Sequence, residues 1–80
     1  MRKMTHYQNR LITRTLNSGL QFVSVENCID HFLVIMVRDE IREELFLYAD
    51  GESACIRYID DKCVSHFIIG PDGKWKRHII

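Results

Sequence analysis

The stretch Arg38–Ser53, RDEIREELFLYADGES, decides the architecture of this chain. As a helix it places Ile41, Leu45 and Tyr48 on one face, with Gly51 just past the end. As a strand, ELFLYA runs into Asp50-Gly51, the strongest short hairpin signal. The strand reading is favoured because a second strand-like segment, ACIRYI (54–59), follows at once. A second helix over residues 39–50 is the alternative.

Upstream, HFLVIMV (31–37) is a continuous apolar run, long enough for a strand buried on both faces. LQFVSVE (20–26) alternates and carries Phe22 and a valine pair, which suit strands. Residues 5–17 have helical spacing. Thr5 can cap the start and Gly19 suits the stop. Tyr7, Leu11 and the Thr15/Leu16 position make the apolar stripe with Ile12 beside it, while Gln8, Arg10 and Arg14 are expected to face elsewhere.

Downstream, Asp60-Asp61 makes a two-residue turn into KCVSHFII (62–69). Pro71-Asp72-Gly73 makes a three-residue hairpin loop, with proline presetting the first turn position and glycine the left-handed one. These turns set a register: Tyr58 opposite Cys63, Ile56 opposite Ser65, Ile69 opposite Trp75 and Phe67 opposite Arg77. One face then reads Ala54, Ile56, Tyr58, Cys63, Phe67, Ile69, Trp75, Ile79 and is expected to be the core. The other reads Cys55, Arg57, Ile59, Lys62, Val64, His66, Ile68, Lys76, His78, Ile80. The expected fold class is α+β: one domain over residues 1–80, with an N-terminal helix packed on an antiparallel β-meander of about five to six strands.

Eighty residues allow one modest core. The chain is 46% hydrophobic and 28% charged, which excludes a disordered segment. No apolar run reaches membrane-span length. The basic start MRKMTHYQNR has no apolar core behind it and does not read as a secretory signal. Three cysteines, an odd number, read as reduced thiols, and the expected setting is cytoplasmic.

The net charge is zero but unevenly spread. Residues 1–25 carry +4, residues 26–61 carry −7 and residues 62–80 carry +3. A nucleic-acid reading uses the two basic ends: Arg2, Lys3, Arg10, Arg14, Lys74, Lys76 and Arg77. It needs both ends on one surface, with exposed aromatics interleaved. The expected core position of Trp75 and the acidic middle argue against it.

On the mixed face the register lines up Cys55, His66 and His78 on three adjacent strands. A thiolate and two imidazoles about 5 Å apart are a possible zinc set with an open position. Cys28/His31 and Cys63/His66 form a rival C-x-x-H pair of pairs, which has the difficulty that strand positions three apart point to opposite faces. The ordinary alternative, buried thiols and surface histidines, is favoured, so no cofactor is expected. Cys55 beside His66 also resembles a thiol and base, but no third group orients them. Glu43-Glu44 and Asp60-Asp61 read as surface and turn charge. No phosphate-loop, dinucleotide, nucleophile-elbow or zincin motif is present, and no enzyme is expected.

The apolar surplus favours a different reading. FLVIMV and LFLY are apolar on both faces, and one helix covers only one. The expected function is a small non-catalytic binding module, acting as a regulator, inhibitor or accessory subunit. It is expected to associate with itself, as a homodimer or higher oligomer, or with another protein. The expected partner surface is Ile59, Val64, His66, Ile68, Lys76 and His78, continued by Phe46 or Leu47. Histidines there are expected to weaken association below about pH 6.5.

Overall fold

The computed structural model describes residues 4–77. Helix α1 spans His6–Asn17. The strands are β1 Gln21–Asn27, β2 His31–Arg38, β3 Ile41–Tyr48, β4 Ser53–Ile59, β5 Lys62–Ile69 and β6 Trp75–Arg77. They form one antiparallel sheet in sequence order, and residues 39–50 contribute a strand, not a helix.

The turns carry the topology. Asp60 and Asp61 adopt φ of 51° and 63°, the two left-handed residues that a tight hairpin turn requires. Gly51 and Gly73, at φ of 94° and 84°, close two loops of the same kind. In each, one residue donates across the loop mouth, Tyr48 N to Glu52 O at 2.9 Å and Gly70 N to Lys74 O at 3.0 Å. A side chain at Gly73 would also collide with the Tyr7 ring, 2.5 Å from the position of a Cβ.

Helix α1 starts where Thr5 caps it. The Thr5 hydroxyl accepts from Gln8 N and the Gln8 side chain accepts from Thr5 N. Gln8 also donates through Nε2 to the carbonyls of Tyr48 and Glu52, at 2.9 and 3.2 Å. It is therefore buried against the β3–β4 hairpin, not turned outward as its polarity suggested. Arg38 donates to Ser18 O and holds the far end of the helix to β2. We expect Gln8→Ala to destabilise the fold by about 2 kcal/mol, since it removes the acceptor of Thr5 N and both side-chain hydrogen bonds to the hairpin; urea denaturation measures it, and an unchanged midpoint would contradict this anchoring role.

The core lies between α1 and one sheet face: Leu11, Leu20, Val34, Met36, Leu45, Leu47, Cys55 and Ile69. The expected register holds from Phe67 to Arg77 and at Tyr58–Cys63. Between them it slips. Val64 is absorbed in a bulge, so Arg57 pairs with Ser65 and Ile56 with His66. One extra residue reverses the facing of the strand on either side of it. Cys55 and Arg57 therefore lie on the helix side, and Ala54, Ile56, Tyr58 and Cys63 on the other. Trp75 is on the helix side as expected, but it is 42% exposed, with Arg14 the α1 side chain that lies over its ring.

Candidate functional site

The sheet face away from α1 has no layer over it among the described residues. Cross-strand pairing arranges it in rows. One runs Glu26, Leu33, Phe46, Ala54, Ile68, Lys76 from β1 to β6. The next runs Ser24, Ile35, Glu44, Ile56, His66, and a third runs Val37, Arg42, Tyr58, Cys63. His31 and Tyr48 close the end beyond Phe46. Apart from buried Ala54, the large apolar members Leu33, Ile35, Phe46, Ile56 and Ile68 are half-buried. Phe46 and Tyr48 stack with centroids 6.5 Å apart, and His31 packs on both rings. Arg42 lies over the Tyr58 ring at 4.5 Å and pairs with Glu44 at 3.5 Å and Asp61 at 3.2 Å.

Of the expected partner residues, His66, Ile68 and Lys76 stand on this face. Ile59 does not: it pairs with Ile41 on the helix side. Val64 occupies the bulge, and His78 lies outside the described residues. Phe46, not Leu47, continues the patch, since Leu47 is buried under α1. Leu33, Ile35 and Ile56 belong to the face too. The bulge hid Ile56, which had been placed in the core.

The bulge also separates the expected metal row. Cys55 stands opposite Phe67 on the helix side, while His66 stands opposite Ile56 on the open side. Burial, and next the charge of Glu43, push the Cys55 thiol up to about 12, outweighing Arg57 and Arg14. That is the reverse of an activated nucleophile. The rival pairs fare differently. The bulge brings Cys63 and His66 to one face, removing the earlier objection. His31, however, lies six residues along β2 from the Cys63 row, about 20 Å away. Among the described residues no three metal-ligating side chains cluster.

The helix side holds a second feature, a cleft of about 400 Å³ between α1 and the β5–β6 hairpin. Tyr7, Arg10, Leu11 and Arg14 form one wall and Ile69, Gly73 and Trp75 the other. The Arg14 guanidinium lies 4.6 Å over the Trp75 ring, and Phe67 meets that ring edge-on at 5.5 Å. Trp75 and Arg77 share the helix side of β6, whereas Lys76 points to the opposite face. Of the basic residues singled out in the sequence, Arg10 and Arg14 line this cleft, whereas Lys74, Lys76 and Arg77 line a separate hollow with Ile68 and Trp75. Lys74 sits beside the hairpin loop, and Arg2 and Lys3 lie outside the described residues.

Beneath this cleft Glu43 is buried and paired with Arg57, which stands opposite it on β4. Two adjacent glutamates read as surface charge in the sequence, but strand alternation sends Glu44 to the open face and Glu43 inward. No helix among the described residues is long and apolar enough to cross a membrane. Comparison of the chain with protein-family models, with curated proteins and with solved structures finds no match.

Proposed function

We propose that this protein acts by occupancy and not by catalysis, with the helix-free sheet face as its docking surface and a second copy of the chain as occupant. The observation that carries this reading is the row Glu26, Leu33, Phe46, Ala54, Ile68, Lys76. It is acidic at one edge, basic at the other and apolar between. A two-fold axis parallel to the strands, passing between β3 and β4, lays β1 over the partner's β6 and β3 over its β4. Each Glu26 then meets a lysine, each Phe46 meets the small Ala54 position, and Leu33 meets Ile68. Large opposite small is how inner sheet faces interdigitate.

The size is sufficient. Six strands at about 4.8 Å spacing and about 25 Å long offer roughly 600 Å² per copy, so the pair covers roughly 1,200 Å², the lower end of stable specific interfaces. The net charge of zero adds no long-range repulsion. The three cysteines are free thiols and Cys63 is exposed, which suits a reducing, cytoplasmic setting. A regulator or accessory subunit that masks or completes another surface would work this way.

Sedimentation equilibrium tests the reading. We expect twice the 9.5 kDa chain mass at micromolar concentration. Phe46→Asp should weaken association at least about 30-fold, as loss of a central aromatic anchor does. Glu26→Lys and Lys76→Glu should each weaken it, and together restore it. A single-chain mass at every concentration would remove the homodimer and point to a different protein as the cover. A dimer indifferent to both charge reversals would remove this axis.

A further inference from the structure

The cleft between α1 and β6 lies on the opposite side of the sheet and stands independently of the docking face. Its chemistry is specific. Arg10 and Arg14 are four residues apart on α1, so their guanidiniums occupy the same helix stripe. Neither makes an ion pair with any described residue, whereas Arg42 and Arg57 both do. Like charges so placed repel, and no carboxylate is among the described residues lining the cleft. Two positive charges therefore line one cavity, and the carboxylate beneath it, Glu43, is already paired with Arg57.

The Arg14 guanidinium lies 4.6 Å over the Trp75 ring. A guanidinium resting on an aromatic face can still turn its N–H fork to two oxygens of one anion. The remaining walls are flat or apolar. Tyr7 is 38% and Trp75 42% exposed, so both present ring surface to a ligand. A volume of about 400 Å³ is at the small end of ligand pockets and suits a single ring system with its attached anion. Exposed aromatics interleaved with arginines are the arrangement that holds unstacked bases.

We propose that this cleft binds an unpaired nucleotide, its phosphate on Arg10 and Arg14 and its base against the rings of Tyr7 and Trp75. The nucleotide is either free or part of a single strand, since both present the same base and phosphate.

Trp75 is the only tryptophan in the chain, so its fluorescence reports on the cleft in the unmodified protein. At low salt the protein is titrated with adenosine monophosphate, an eight-residue single strand of thymidylate, a blunt duplex of the same length and inorganic phosphate. We expect a saturable change with the mononucleotide, the single strand or both. A strand that binds tighter than the mononucleotide assigns the single-strand source; equal binding assigns the free nucleotide. Arg10→Gln and Arg14→Gln should each weaken binding at least tenfold, by equilibrium dialysis as well as by fluorescence, because Arg14→Gln alters the emission by itself. Both side chains are exposed, so far-ultraviolet dichroism should not change. The proposal is overturned if neither nucleotide probe saturates, if inorganic phosphate or the duplex binds as tightly, or if both glutamine variants bind like the unaltered protein.

Discussion

Arg57→Leu is expected to lower the unfolding free energy by about 3 kcal/mol. The Glu43 side chain is only 6% exposed, and Arg57 donates to its Oε1 from Nε at 2.7 Å and from its terminal nitrogen at 2.5 Å. Removing the arginine leaves a buried carboxylate with no counter-charge, which must take up a proton or draw in water. The figure lies at the low end for a broken buried pair because Arg57 is itself 38% exposed, so water already reaches one side. The reverse change is milder. Glu43→Gln leaves an arginine that can turn to solvent and is expected to cost about 1 kcal/mol. The double change Glu43→Leu with Arg57→Leu is expected near neutral, since a well-packed apolar pair commonly replaces a buried ion pair without loss. Urea denaturation at one fixed protein concentration measures all three, because association adds to apparent stability. An Arg57→Leu protein within about 0.5 kcal/mol of the original would show that the pair contributes no more than an exposed one.

Stability is also expected to fall steeply in alkali, and Cys55 is the main cause. Its thiol titrates at 9.0 ordinarily and at about 12 in the fold, because burial and then the Glu43 charge disfavour the thiolate. Between those values the folded state holds a proton that the unfolded chain has released, so stability must drop as pH rises. The contribution is intact below about pH 9 and is lost progressively up to about pH 12; three units correspond to about 4 kcal/mol. Tyr58 acts in the same direction, its phenol pushed up by desolvation and next by Glu44. The difference between the original protein and Cys55→Ala isolates the thiol. At pH 7 the alanine protein should be the weaker by about 1 kcal/mol, the loss of one small buried group. By pH 11 the order should reverse. Parallel stability curves from pH 8 to 11.5 would contradict the assignment.

The two predictions share a location that sequence reading missed. Glu43, Cys55 and Arg57 were each legible as residues, yet Glu43 was taken for surface charge and Cys55 for a member of an open-face row. Strand alternation alone turns Glu43 inward, whereas the facing of Cys55 traces to one residue of β5. Had β4 and β5 paired without interruption, Ile56 would stand opposite Ser65. Val64 takes no partner, and everything before it on β5 changes sides relative to everything after it. Nothing local in KCVSHFII marks the bulge. It is set where the Asp60-Asp61 turn and the Pro71-Asp72-Gly73 loop, each fixing its own register, are reconciled with the apolar residues that α1 must cover.

Helix packing hid a second set of residues. Gln8 lies on the stripe that meets the sheet, where its side chain satisfies Thr5 N and two hairpin carbonyls. Polarity alone could not place it inward, because its partners are 40 and 44 residues away. Trp75 was read as core from its strand parity. The parity is right, but from α1 the Arg14 guanidinium lies over the ring at a distance that leaves a cleft, and the tryptophan becomes its half-exposed wall.

The sequence by itself pointed to the helix, a meander of about five to six strands and the Asp60-Asp61 and Pro71-Asp72-Gly73 turns, because these rest on local chemistry: a threonine cap, aspartates and glycines with left-handed backbone, and apolar period; it left residues 39–50 open between strand and helix. With residues 39–50 a strand, it also implied that one sheet face would lack a helix, since that follows from counting apolar strand positions against one amphipathic stripe. Only the tertiary structure decided which residues stand on that face, that Glu43 and Arg57 meet beneath α1, and that Arg10 and Arg14 share a cleft with Trp75. Those are matters of register and lateral reach. A shift of one residue between two strands reverses their faces without altering any local preference, so only the packed sheet fixes them.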